Sequence, residues 1–130
     1  MKRRFMLDTN AVRALIERRA VELDRWFCEE RCSISAIVAA EIHFGLERRR
    51  LIPTRQQLVL DLLGVLAIEP FDSVVAAAYG QLRARLELMG VSLAAMDLLI
   101  AAHALASSRA LISNDPVFKL VPDLQVIPLI

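Results

Sequence analysis

Four carboxylates stand where a chain would not place them for solubility. In FMLDTN, residues 5 to 10, three apolar side chains run straight into Asp8. Glu41 lies inside SAIVAAEIHFGL, Asp97 inside LAAMDLLIAAHALA, and Asp115 just past ALIS. On a helix, Ile37 and Gly45 flank Glu41 four residues away, and Leu93 and Ala101 flank Asp97, so no Lys or Arg answers either acid locally. An ionised carboxylate buried without a partner normally protonates, and several brought together repel. Such a cluster stays charged when a cation sits among it. All-oxygen donors select hard ions, Mg²⁺ first and Mn²⁺ as a substitute. Each acid also has a plainer use: Asp8 as a helix cap, Glu41 in a distant ion pair, Asp97 accepting backbone bonds near its helix start, Asp115 in an Asn-Asp-Pro turn. The conjunction of all four favours the metal site.

The elements that must position these acids alternate along the chain. Arg4 to Leu7 reads as a buried strand, and Ala11 to Arg19 as a helix with Thr9 or Asn10 placed to cap it. Val21 to Glu30 is a second helix, Cys32 to Ser35 a strand, and Ala36 to Arg50 a long helix with a basic end. Thr54 can cap a helix to about Leu66, Ala67 to Phe71 is a strand, and Asp72 caps a helix that Gly90 stops. Leu93 to Ser107 is a helix, Ala110 to Ser113 a strand, Pro116 to Leu120 a helical turn, and Leu124 to Ile127 the last strand. Short apolar strands alternating with helices predict a three-layer α/β/α fold with a mostly parallel central sheet. Ligands of such folds sit outside the carboxyl ends of the strands, where Asp8 and Asp115 would meet.

The 130 residues fit one domain, and 56% apolar content with few Gly and Pro marks a folded chain. The start lacks an apolar leader segment, so a cytoplasmic location is expected. The apolar run from Leu86 to Ala106 holds Glu87, Asp97 and His103 and reads as buried protein, not bilayer. Cys28 and Cys32 lack a second ligand pair for zinc and read as reduced thiols. His43 and His103, two and six residues from the nearest acid, read as packing or surface residues. A net charge of +1 conceals that 14 of the 16 basic residues are Arg, whose planar fork suits phosphate.

At these residues the sequence resembles the PIN-domain ribonucleases, and more narrowly the VapC toxins of VapB–VapC toxin-antitoxin pairs. MLDTN resembles the first family motif, AAEIHFGLERR the second, MDLLIAAHALA the third and LISNDPVFKLVPDLQV the last. The resemblance spans nearly the whole chain, with three departures. Ala94 stands where the family often has Gly, Asp123 follows Val121-Pro122 where Gly is common, and position 115 is often Asn.

The resemblance implies an acidic site of Asp8, Glu41, Asp97 and Asp115, with Asp8 and Asp97 as direct metal ligands. It places Thr9, Asn10, Ser113 and Asn114 in supporting or substrate-orienting roles. The implied reaction is Mg²⁺-dependent hydrolysis of RNA phosphodiesters, leaving 5′-phosphate and 3′-hydroxyl ends. The implied partners are an RNA substrate, an inhibitory VapB-type antitoxin, and a second copy of the chain in a homodimer. Higher hetero-oligomers with the antitoxin follow. Exposed apolar residues on the early helices, Leu15, Val21, Leu23, Trp26 and Phe27, are the sequence's own candidates for antitoxin contact, with core packing the competing use. Among other Mg²⁺-dependent hydrolases and phosphoacceptors, a receiver domain needs a Lys that Lys119 fits poorly. A haloacid-dehalogenase-like phosphatase needs a second Asp where this chain has Asn10.

Overall fold

The structure, a computed structural model, describes residues 3–129; Met1 and Lys2 of the charged start lie outside them. The chain alternates as the sequence predicts. Strand β1 (Phe5–Leu7) leads to helices α1 (Thr9–Ile16) and α2 (Val21–Cys28), then β2 (Cys32–Ser35), α3 (Ala36–Arg48) and α4 (Pro53–Val65). Strand β3 (Ala67–Glu69), helices α5 (Ser73–Leu88) and α6 (Ala95–Ala106), strand β4 (Ala110–Ile112), a 3-10 turn (Pro116–Leu120) and β5 (Val126–Ile127) complete it.

The five strands form one sheet in the order β3-β2-β1-β4-β5, every neighbour parallel. The sheet is therefore wholly rather than mostly parallel. Parallel strands are covered on both faces, which is why β1, β2 and β4 read as unbroken apolar or small-residue runs and are buried throughout. Helix α1 packs on β1 and against α3 and α4, while α6 packs on β2 and β4 and against α3 and α5. This explains why α6 is apolar nearly all round: it buries Leu98, Ile100, Ala101, Ala102, His103 and Ala104.

The core centres on Met6, Leu7, Ile34, Leu111, Ile112 and Phe118. Each such side chain contributes roughly 1.5–3 kcal/mol by leaving water. Phe5 extends the core by stacking on Trp26, ring centroids 4.4 Å apart. A polar knot holds the sheet from inside: Ser33 donates to Glu69 at 2.5 Å and accepts from Arg109 at 2.9 Å, and Arg109 also pairs with Glu69.

Two helix starts differ from expectation. Asp8, not Thr9 or Asn10, caps α1, because the carboxylate at the end of β1 already lies within 2.8 Å of the Ala11 N–H. Helix α4 begins at Pro53 rather than after a Thr54 cap, since a proline's fixed φ and missing N–H suit the first helical position. Asp72 caps α5 as expected. The departures at Ala94 and Asp123 are accommodated differently. Ala94 is the extended residue before α6 and needs no glycine. Asp123 does adopt a left-handed φ of 67°, a conformation Asp tolerates, and Arg85 holds its carboxylate at 2.9 Å.

Candidate functional site

Chain direction through the sheet reverses around β1, which has β2 on one side and β4 on the other. Such a switch opens a crevice at the carboxyl ends of the two strands that part there. Asp8 leaves β1 at that point, and its N–H still pairs with the Ile112 carbonyl at the end of β4. Ser113 follows directly, so the sheet register itself brings residues 8 and 113 side by side.

Asp8 is 5% exposed and both its oxygens are engaged. Oδ1 accepts the Ala11 N–H at 2.8 Å and Oδ2 accepts the Ser113 hydroxyl at 2.5 Å. It is thus a helix cap and a site residue at once. Ser113 Oγ in turn accepts the Asp115 N–H at 3.0 Å, and Asp115 Oδ1 accepts the Val117 N–H at 3.0 Å, capping the 3-10 turn. Glu41, on α3, accepts the Thr9 hydroxyl at 2.8 Å. Asp97, in the first turn of α6, is half-buried and has no hydrogen bond or ion pair among the described residues. None of the four acids pairs with a Lys or Arg there, although eight other ion pairs form.

The four nevertheless share one electrostatic neighbourhood. Burial pushes the Asp8 carboxyl above its ordinary value, the charges of Asp115 and Glu41 push it further, and the bonds from Ser113 and Ala11 pull it back. Burial likewise raises Asp97, followed by the charges of Asp115, Glu41 and Asp8. Asp115 is the foremost of the neighbouring charges on both, so it lies within the same cluster. Among the described residues, no three carboxylate, imidazole or thiol groups converge tightly enough to enclose an ion with the side chains as they stand. The donor chemistry fits a hard divalent cation: oxygens only, mutual repulsion, no basic partner, and in Asp97 a carboxylate with nothing else to bind.

Of the four supporting residues, Thr9 and Ser113 touch acids, on Glu41 and Asp8 respectively. Asn114 does not: its Oδ1 accepts the Leu129 N–H at 2.6 Å and pins the C-terminal segment. Asn10 is exposed on α1. His103 is buried, sharing a 2.7 Å hydrogen bond with Ser35 Oγ and an edge-on contact with Phe71, while His43 is exposed. Because Ser35 also caps α3 through the Ile37 N–H, His103 and Ser35 tie the helix of Asp97 to the helix of Glu41. Sequence spacing missed this link, since partners 68 residues apart leave no local signature.

A groove of about 620 Å³ leaves Thr9 and Glu41 and runs between α1, α3 and α4. Arg13, Arg48, Arg49 and Arg55 line it. A second, apolar groove of about 250 Å³ between α1, α2 and α4 is lined by Leu15, Phe27, Cys28, Leu58 and Leu62 among others. This corrects the expected row of exposed apolar residues. Leu23 is fully buried in the chain's own core, and Leu15 is nearly so although it borders the groove. Trp26 is half-buried against Phe5, Phe27 is half-buried in the apolar groove, and Val21 remains 85% exposed.

The PIN domain family profile matches residues 5–124. Ribonuclease VapC2 of Haemophilus influenzae is 32% identical over 114 residues, covering 86% of each chain. Among solved structures, VapBC2 of Rickettsia felis bound to a DNA fragment from its promoter superposes with a TM-score of 0.85 at 29% identity, covering 100% of both chains. DNA-bound VapBC of Salmonella typhimurium follows at 0.84 and 28%, covering 97% of this chain and 98% of that one.

Proposed function

The chain belongs to the PIN-domain family, among the VapC ribonucleases, and on that premise we propose that it is the toxin of a VapBC-type pair, cutting RNA with Mg²⁺ held by its acids. The observation that carries this reading is the unpaired acidic cluster at the switch point, in which burial and three neighbouring charges all oppose ionisation of Asp97.

In this reading Asp8 and Asp97 are the direct ligands and Asp115 adds charge. A divalent ion bound there supplies Lewis acidity and neutralises charge developing on the phosphate oxygens. Ser113 and the Ala11 N–H fix the Asp8 carboxylate so that it need not reorganise during reaction. Glu41, steadied at Oε1 by Thr9, accepts a proton from the attacking water through its carboxylate. The arginines of the long groove hold the RNA backbone. Attack of water on phosphorus breaks the bond to the 3′ oxygen, which leaves with a proton from solvent, giving 5′-phosphate and 3′-hydroxyl ends.

The same reading gives the apolar groove between α1, α2 and α4 to a VapB-type antitoxin. Such a groove receives one face of an amphipathic segment. A homodimer, joined by antitoxin into larger hetero-oligomers in the cytoplasm, completes it. Asp8→Asn and Asp97→Asn test the assignment: each leaves the far-ultraviolet spectrum unchanged and abolishes Mg²⁺-dependent RNA cleavage. A purified variant of either kind cutting at the wild-type rate removes it.

A further inference from the structure

Phe44 is 62% exposed on α3, three residues past Glu41 and therefore on the same side of the helix. An exposed aromatic ring on a helix is costly to solvate and contributes nothing to this core. Its surroundings are specific. Phe44 lines the same groove as Thr9 and Glu41, and the Arg48 guanidinium lies over its ring, 5.3 Å from the centroid. A flat ring covered on one side and still largely exposed has surface left for a second planar group. Arg13, Arg48 and Arg49, lining the same groove, have no carboxylate partner among the described residues; Arg55 is joined to Glu17 at 3.5 Å. Unpaired guanidinium groups beside an exposed aromatic complement a strand that offers phosphate and a base π-face at each step. They do not complement a duplex, whose bases are already stacked.

We propose that Phe44 is the stacking platform for an unpaired base next to the cut phosphate, with Arg13, Arg48 and Arg49 binding the phosphates of the same strand. The inference rests on the ribonuclease reading and deepens it. Phe44 acts by positioning: stacking fixes the nucleotide and so places the neighbouring phosphate at the acids.

The test uses the full chain and a short unstructured RNA carrying one 2-aminopurine, in EDTA so that RNA is bound without being cut. Phe44→Ala and Phe44→Leu each weaken binding about 5- to 100-fold, from the usual value of one base stack on an aromatic ring. Phe44→Trp and Phe44→Tyr stay within a few-fold of wild type. Leu keeps the apolar bulk without the π-face, so it separates stacking from packing. With Mg²⁺ present, the loss appears in KM for the oligonucleotide more than in kcat. Leu binding and cleaving like Phe overturns the inference. So does equal wild-type affinity for a blunt duplex of the same sequence. A Phe44→Leu variant that keeps RNA affinity but loses an antitoxin peptide assigns the ring to the protein partner and also overturns it. A wild-type chain that neither binds nor cuts any RNA defeats the ribonuclease reading itself, which distinguishes the two failures.

Discussion

The Ser113 hydroxyl donates to Asp8 Oδ2 at 2.5 Å across 105 residues of chain, joining the carboxyl ends of β1 and β4. This bond favours the ionised form of Asp8 against the burial that opposes it. Ser113→Ala removes it and raises the Asp8 carboxyl further. The acid limb of the cleavage profile then moves to higher pH, and activity at neutral pH falls roughly 10- to 100-fold, as for other groups that orient metal ligands. Cleavage rates across pH 5 to 8 check both; an unshifted limb contradicts the role given to Ser113.

Asp97 supplies a different prediction because nothing else binds it. A carboxyl whose folded value is raised binds protons more tightly in the fold, so metal-free stability falls as pH climbs from the unfolded value of about 3.8 through the folded one. Asp97→Asn escapes this cost. Without divalent ions the variant melts above wild type at pH 7, and the gap closes in acid. Added Mg²⁺ raises the wild-type midpoint and leaves the variant's unchanged. Thermal melts with and without Mg²⁺ decide.

Much of this was legible from residue order alone. Strand runs such as FML and ALI, and the acids that end or follow them, announced alternation and a crevice at the carboxyl edge. What could not be read was which strand lies beside which. The insertion of β1 between β2 and β4 sets Ser113 against Asp8, and only pairing register reveals it. Leu23 shows another limit: helical spacing gives the same apolar stripe whether a residue faces a core or a partner, and Leu23 is wholly buried in the core. Asn114 is next to Ser113 in sequence, but its side chain meets the Leu129 N–H instead of an acid, a partner 15 residues away that spacing does not reveal.

His103 yields a pH dependence of the opposite sign. Burial holds its imidazole below the ordinary value, and Asp72 offsets only part of this. The unfolded chain therefore binds more protons than the fold just below pH 6.5, and stability is lost as pH falls through that range. His103→Gln, which keeps an amide beside Ser35 and cannot protonate, removes this limb. His103→Ala costs about 2–4 kcal/mol at pH 7.5 by leaving a cavity and an unpaired hydroxyl, and the cost shrinks at pH 5 because this variant also lacks the titrating group. Urea midpoints at pH 7.5 and 5 separate them.

The two thiols differ sharply in reactivity. Cys28 is exposed, whereas Cys32 is buried in β2 and its thiol is pushed up to about 12. An aromatic disulfide reagent titrates one thiol quickly in the native protein and two in denaturant. Two fast native thiols would place Cys32 outside the sheet.

Leu58, 46% exposed, lies on the apolar groove away from the acids. Leu58→Glu leaves RNA cleavage by the free chain unchanged and weakens inhibition by the proposed VapB-type antitoxin at least about tenfold, since it sets a charge in the apolar groove assigned to it. Undiminished inhibition would move the antitoxin elsewhere.

The parallel register has a temporal consequence. The earliest strand to leave the ribosome, β1, is flanked on both sides only once Ala110 to Ile112 have been made, near the far end of the polypeptide. Until then Asp8 lacks Ser113 and the Ile112 carbonyl, and Asp115 does not yet exist in the chain. The neighbourhood of Asp8 therefore assembles late in synthesis, after the segment from Ala110 to Ser113 has emerged and β4 has joined the edge of β1.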